Sequence, residues 1–368
     1  MKVLVVFGTR PEGIKMAPVI QAIERDPDLE LVTVSTGQHR EMLQPVLDMF
    51  SLSVDVDLNI MKPNQSLSEI TTGVIQGMSS IIEQTKPNII LVHGDTTTSF
   101  AAAMAAYYHK ISVGHVEAGL RTREKYSPFP EELNRQLTAR IADIHFSPTD
   151  FAKQNLLEEG ISDNQIVVTG NTSIDTLHYI LDKDKHSKAV EELVNLVGED
   201  YLLMTIHRRE NISSIKDIFS AIGDIAMEYR KHIIYPVHLN PFVKATAEEV
   251  FSSNPFIHLI APQDINNFLY LMKHSLYVIT DSGGIQEEAP SLNKPVFVVR
   301  DTTERQEGQK VGTLKLIGTT YLSVYDHLSQ TFEDLQLLTD MASKKNPYGD
   351  GHAANRIVSI LKNYLQIK

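Results

Sequence analysis

Six polar clusters in this chain each follow a short apolar run, and their residue types suit acid-base and anion-binding chemistry. In the first half they are Gly8-Thr9-Arg10-Pro11-Glu12-Gly13-Ile14-Lys15, His93-Gly94-Asp95-Thr96 and Glu117-Ala118-Gly119-Leu120-Arg121. In the second half they are His207-Arg208-Arg209-Glu210-Asn211, His238-Leu239-Asn240-Pro241 and Asp281-Ser282-Gly283-Gly284-Ile285-Gln286-Glu287-Glu288. Ligands of open α/β sheets bind beyond the carboxyl ends of the strands, so residues directly after a strand are the first candidates for a site.

The stretch 8–15 resembles a phosphate-binding loop, but Lys15 comes one residue late and Met16 stands where a Ser or Thr would hold magnesium. It is expected as a tight turn that aims Arg10 and Lys15 at an anion, the alternative being surface cations beside a turn. Ser282-Gly283-Gly284 is placed to open a helix directly after a strand, where backbone N–H groups can receive a phosphate. Glu288, one turn later, can accept from ribose hydroxyls, so this segment is expected to hold a nucleotide. An ordinary strand-to-helix turn is the alternative.

His93-x-Asp95 and His115-x-Glu117 have the alternation of metal-ligand pairs on a strand. Spacing supplies no third ligand, so no metal is expected. Acid-base work suits these carboxylates better: Asp95, Glu117 and Glu131 in the first half, with His207 in the second. Glu131 and Glu132 could equally be carboxylates that stabilise a helix N-terminus. No Gly-x-Gly-x-x-Gly occurs, which disfavours a dinucleotide in the usual turn, and no cofactor is expected.

Elements that would position these residues are legible as alternating apolar runs and amphipathic segments, the pattern of βα units around parallel sheets. Strands are expected at 2–7, 31–35, 89–92, 112–116 and 144–146, then at 166–168, 201–206, 232–237, 256–260, 276–280 and 295–299. Between them, Leu67, Ile70, Val74, Met78, Ile81 and Ile82 recur at helical spacing after a Ser66/Glu69 capping-box signature. The fold class expected is α/β, with two Rossmann-like doubly wound domains facing a cleft. The expected domains are 1–170 with the carboxylates, 171–351 for the nucleotide, and a final helix over 352–368 that crosses back to the first.

Composition narrows the functional classes. The chain has 368 residues and no Cys, so disulfide, thiol and Cys-ligated metal chemistry are excluded. Its net charge of -12 argues against nucleic acid as a partner. The apolar run at the amino terminus is too short for a signal peptide, and no stretch approaches membrane-spanning length. A soluble, cytoplasmic protein is expected.

Taken together, Gly8-Thr9-Arg10-Pro11-Glu12, Thr36-Gly37-Gln38-His39-Arg40, His93-Gly94-Asp95-Thr96, Val116-Glu117-Ala118-Gly119-Leu120-Arg121, Pro130-Glu131-Glu132-Leu133-Asn134-Arg135, His207-Arg208-Arg209-Glu210-Asn211 and Ser282 to Glu288 resemble the motifs of the bacterial non-hydrolysing UDP-N-acetylglucosamine 2-epimerases. The ordered match runs from residue 1 to Pro347-Tyr348-Gly349-Asp350-Gly351. The resemblance implies a glycosyltransferase-B type architecture, a homodimer, and reversible inversion at C2 through loss and return of UDP by way of a 2-acetamidoglucal. It assigns acid-base roles to Asp95, Glu117 and Glu131, while His207 can help meet the charge of the departing pyrophosphate. Substrate contacts fall to Arg10, Lys15, Arg208, Ser282, Gly283, Gly284 and Glu288.

Bacterial members resemble one another in a second, allosteric UDP-N-acetylglucosamine pocket. Gln38, Glu131, Arg208 and His238 match it, whereas Glu41 replaces a common Gln and Asn64 a common Arg. Loop 303–310 also departs, with Gln306 in place of Pro and an added Lys310. A UDP-sugar transferase of the same fold, a hydrolysing epimerase and a non-enzymatic UDP-sugar sensor are the competing readings.

Overall fold

A computed structural model of the chain describes residues 1–37, 40–62 and 65–367. The chain divides into two compact units, Met1–Thr176 with Tyr348–Lys368, and Leu177–Pro347. In the first, seven parallel strands are seen among the described residues: β1 (Lys2–Phe7), β2 (Glu30–Ser35), β3 (Val56–Asp57), β4 (Ile89–His93), β5 (Ser112–Val116), β6 (Ile144–Ser147) and β7 (Ile166–Val168), in the order β3-β2-β1-β4-β5-β6-β7. The second has six, β8 (Leu202–Thr205), β9 (Ile233–Pro236), β10 (Ile257–Ile260), β11 (Tyr277–Thr280), β12 (Val296–Val298) and β13 (Leu314–Leu316), in the order β10-β9-β8-β11-β12-β13. Each sheet is doubly wound, as the sequence pattern predicts. The strand order reverses between β1 and β4 in one unit and between β8 and β11 in the other. These reversals are the switch points at which crevices open in this class of sheet.

Both sheets are covered on both faces, which explains why their strands read as continuous Val, Ile and Leu runs. Val3 to Val6 and Ile89 to Val92 are fully buried, and burial of each such side chain contributes about 1.5–3 kcal/mol. Helix Thr97–Tyr108 packs against helix Leu67–Thr85, and its Ala101, Ala102, Ala103, Ala105 and Ala106 are fully buried in the same core cluster as Ile70, Val74 and Met78. The expected capping box of helix Leu67–Thr85 is present in both directions between Ser66 and Glu69.

Two features differ from expectation. β3 and β13 are short edge strands with too few apolar residues to show a period. The stretch 8–15 is the first part of helix Arg10–Glu24 rather than a tight turn: Thr9 caps the helix, and Glu12 returns the bond to the cap backbone. The Thr-x-x-Glu signature therefore serves helix initiation. Within the first unit, Asp175 of helix Thr172–Lys183 accepts from the N–H groups of Ala353 (3.1 Å) and Ala354 (2.8 Å) and so caps the terminal helix Ala353–Ile367. Ala354, Ile357, Val358 and Leu361 of that helix join Met16, Val19, Ile20 and Ile23 in the core.

His115 and His145 lie on neighbouring strands, fully buried, with ring centroids 6.4 Å apart. Burial pushes His115 down to about 3 and His145 down to about 4, from an ordinary 6.5. The unfolded chain therefore takes up protons below pH 6.5 that the folded protein refuses. The stability contributed by the neutral imidazoles is complete above that pH and is lost as pH falls toward their folded values. At pH 5 the loss is about 2 kcal/mol for each imidazole. Urea denaturation at pH 7.5 and 5 is expected to show it as a lower midpoint in acid, with a smaller drop in His145→Leu; equal drops in the two proteins would contradict it.

Candidate active site

The first unit places Glu12, Lys15, Asp95 and Glu117 at its own switch point, beyond β1, β4 and β5. Glu12 is 1% exposed and its carboxylate is fully used: Oε2 accepts from the N–H groups of Gly8 (3.0 Å) and Thr9 (2.8 Å), and Oε1 from the hydroxyls of Thr96 (2.6 Å) and Ser99 (3.0 Å). It thereby ties the segment after β1 to the segment after β4, which carries Asp95. Asp95 in turn is held by helix Glu131–Ile141: Arg135 pairs with its carboxylate, and the Asn134 amide donates to its backbone carbonyl at 3.0 Å.

Burial raises the pKa of Asp95 above the ordinary carboxylate value, and the charge of Glu117 adds to the rise while Arg135 opposes it. Glu117 sits directly after β5 with a left-handed backbone, φ 61°, an uncommon conformation for a residue with a Cβ. Flanking bonds hold it there: Gly94 donates to the Val116 carbonyl (2.8 Å), and Ala118 to that of Phe146 (3.1 Å). Strain of this kind collects at functional sites. The Glu117 carboxylate pairs with the Lys15 ammonium and accepts from the Asn171 amide at 3.2 Å.

Lys15, Asp95 and Glu117, all expected at the site, are thus brought together. Arg10 lies exposed in the first turn of its helix. Glu131 opens helix Glu131–Ile141 and is partly exposed. Asn171 and Arg135 were not among the residues expected to act. Asn171 comes three residues after β7, which was the available signal, whereas Arg135 reaches Asp95 only through tertiary packing. Among the described residues, no group of three or more His, Asp or Glu side chains is arranged to hold a metal ion.

The second unit has its own cluster at the β8/β11 switch point, organised by Asp281. This carboxylate is fully buried and accepts from the backbone N–H of His207 (3.0 Å) and Arg208 (2.8 Å) and from the Asn211 amide (3.0 Å). His207 Nδ1 lies 3.4 Å from it, and the His207 ring stacks on that of His238 with centroids 5.6 Å apart. The Arg208 side chain approaches Glu210 and Glu304, each at 3.5 Å.

Ser282 precedes the short helix Gly283–Glu288, with Glu288 partly buried at its end. A Cβ added to Gly283 would lie 2.9 Å from Cζ of Arg305, so the missing side chain admits that guanidinium. Arg305 is fixed there by Glu287 (2.9 Å) and Glu304. It supplies a cation that the sequence reading did not pick out, because it arrives from a loop with no local signature. Gln38 and Asn64, expected at an allosteric pocket, lie outside the described residues, as does the side chain of Glu41.

Residues 21–362 match the family model described as UDP-N-acetylglucosamine 2-epimerase. The chain belongs to that family. The UDP-N-acetylglucosamine 2-epimerase of Bacillus subtilis strain 168 is 50% identical over 98% of this chain and 95% of its own length. That of Escherichia coli K12 is 47% identical, with 99% of each chain covered. Among solved structures, the UDP-GlcNAc 2-epimerase from Neisseria meningitidis bound to UDP-GlcNAc superposes with a TM-score of 0.87 at 48% identity, covering 99% of this chain and 100% of that one. The two doubly wound units are Rossmann-like domains of the glycosyltransferase-B type found in this epimerase family.

Proposed function

We propose that this chain inverts C2 of UDP-N-acetylglucosamine reversibly, giving UDP-N-acetylmannosamine. The observation that carries the reading is the pair of carboxylates at one switch point, Asp95 with its pKa raised by burial and Glu117 facing the Lys15 ammonium. Two carboxyl groups in such unlike surroundings are suited to opposite proton-transfer roles. The C2 hydrogen of the sugar is not acidic in itself. In the proposed route its proton leaves as the C1–O bond to UDP breaks, forming 2-acetamidoglucal, and both return with C2 inverted. Asp95, Glu117 and Glu131 are proposed to supply and receive the proton, in line with the family resemblance.

The departing diphosphate needs fixed positive charge and N–H donors. Arg10, Lys15, Arg208, His207, Ser282, Gly283 and Gly284 are proposed to meet that need, with Glu288 on the ribose. The same reading implies a cytoplasmic homodimer feeding cell-surface polysaccharide synthesis, with a second UDP-N-acetylglucosamine as activator at Gln38, Glu41, Asn64, Arg208 and His238. Among the described residues, no helix is long and apolar enough to cross a membrane.

Incubation of the purified protein with UDP-N-acetylglucosamine alone, without NAD, is expected to yield a mixture of two UDP-sugars that differ at C2. Free N-acetylmannosamine plus UDP would instead identify a hydrolysing enzyme. Recovery of unchanged substrate would leave the transferase and sensor readings.

A further inference from the structure

His93 is the last residue of β4 and is 4% exposed. Its Nε2 is fully buried, hydrogen-bonds nothing among the described residues, and lies 3.6 Å from Oε2 of Glu117. The Lys15 ammonium and the Asn171 amide also lie on that oxygen, and both are donors that serve a carboxylate. A protonated Glu117 has the opposite need, because its new O–H requires an acceptor. Neutral imidazole can provide one, and burial lowers the pKa of His93, which keeps it neutral. The charges that face this ring are Glu117 after β5 and Lys15 and Glu12 on helix Arg10–Glu24.

We infer that His93 is a positioning residue for Glu117, its Nε2 accepting the hydrogen bond of the Glu117 carboxyl group whenever that group holds the substrate's proton. This inference rests on the acid-base role proposed above for Glu117. In the step concerned, the C2–H bond breaks and its electron pair forms the C1=C2 double bond. UDP leaves with the C1–O electrons, the proton passes to the Glu117 carboxylate, and the new O–H turns to Nε2. On return the proton leaves Glu117 and the hydrogen bond dissolves. His93 itself gains no proton and touches no substrate.

The test compares His93→Met, which removes the acceptor, with His93→Gln, whose amide oxygen can take its place. His93→Met is expected to lower kcat for C2 inversion about 10- to 100-fold with KM nearly unchanged. Destabilising protonated Glu117 lowers its working pKa, so the acid limb of the pH profile is expected to move down by about one unit. His93→Gln is expected to recover most of the rate and the original acid limb. Adding His93→Met to Glu117→Gln is expected to cost no more than Glu117→Gln alone, since the two act through one group.

An unchanged kcat and acid limb in His93→Met would overturn the inference. So would a rate loss that Gln does not rescue, or one that adds fully to that of Glu117→Gln. Full activity in Glu117→Gln is a separate outcome, which would overturn the acid-base role of Glu117 and the inference with it.

Discussion

Glu117→Gln is expected to lower the rate of C2 inversion about 10²- to 10⁴-fold, the usual worth of a positioned acid-base group. The substitution keeps size and shape, and the amide oxygen can still accept from Lys15 and Asn171, so the left-handed turn at this position is retained. Thermal unfolding should change little while turnover collapses. Asp95→Asn is expected to act similarly, since the Asn carbonyl can still receive Arg135 but cannot shuttle a proton. Steady-state kinetics on the two variants, with UDP binding measured separately, checks the claim. Near-normal turnover in both variants would mean that the pair of carboxylates is structural.

Gly119→Ala is expected to have the largest effect on folding of any conservative change near the site. Gly119 has φ 95°, and an added Cβ would lie 2.2 Å from the carbonyl oxygen of Ala152 and 2.7 Å from its carbon. Those atoms are backbone, and the Asn155 amide donates to the Gly119 carbonyl at 3.0 Å, so neither side can yield without breaking other contacts. Strain and overpacking together are expected to cost on the order of 3 kcal/mol or more. Gly160→Ala is the control: φ is 82° there too, but nothing lies within 4 Å of the added carbon. It is expected to cost only about 1 kcal/mol. Urea denaturation of the two variants separates steric clash from backbone strain, and equal costs would contradict the packing described for Gly119.

Much of the architecture was readable because doubly wound sheets write themselves plainly. Buried parallel strands appear as unbroken apolar runs, and covering helices as 3.6-residue periods. Short edge strands such as Val56–Asp57 carry too little side-chain pattern to be read that way. The rule that sites lie beyond strand ends located the segments after β1, β4, β5, β8 and β11. It could not tell what each residue there does. Thr9-x-x-Glu12 was read as part of an anion-binding turn, although its chemistry also fits a capping box, and the structure shows the latter.

Long-range contacts were the least legible part. Arg135 on Asp95, Asn171 on Glu117 and Arg305 over Gly283 join residues brought together only by packing of different elements. Asp281 illustrates the same point: its place before Ser282 suggested a strand end, but nothing local announced that it would anchor the backbone of His207 and Arg208. Sequence spacing thus showed where chemistry could occur, while the partners that orient each group required the fold.

The most direct measurement is the fate of the C2 hydrogen when the protein turns over UDP-N-acetylglucosamine in deuterated water without added NAD. Breaking and remaking the C2–H bond through a carboxyl group open to solvent exchange places deuterium at C2 of the mannosamine epimer, detectable by NMR and mass spectrometry. The predicted result is deuterium at C2 together with appearance of UDP-N-acetylmannosamine, both slowed about 10²- to 10⁴-fold in Glu117→Gln. Absence of deuterium at C2 and of the epimer would contradict the proposed function.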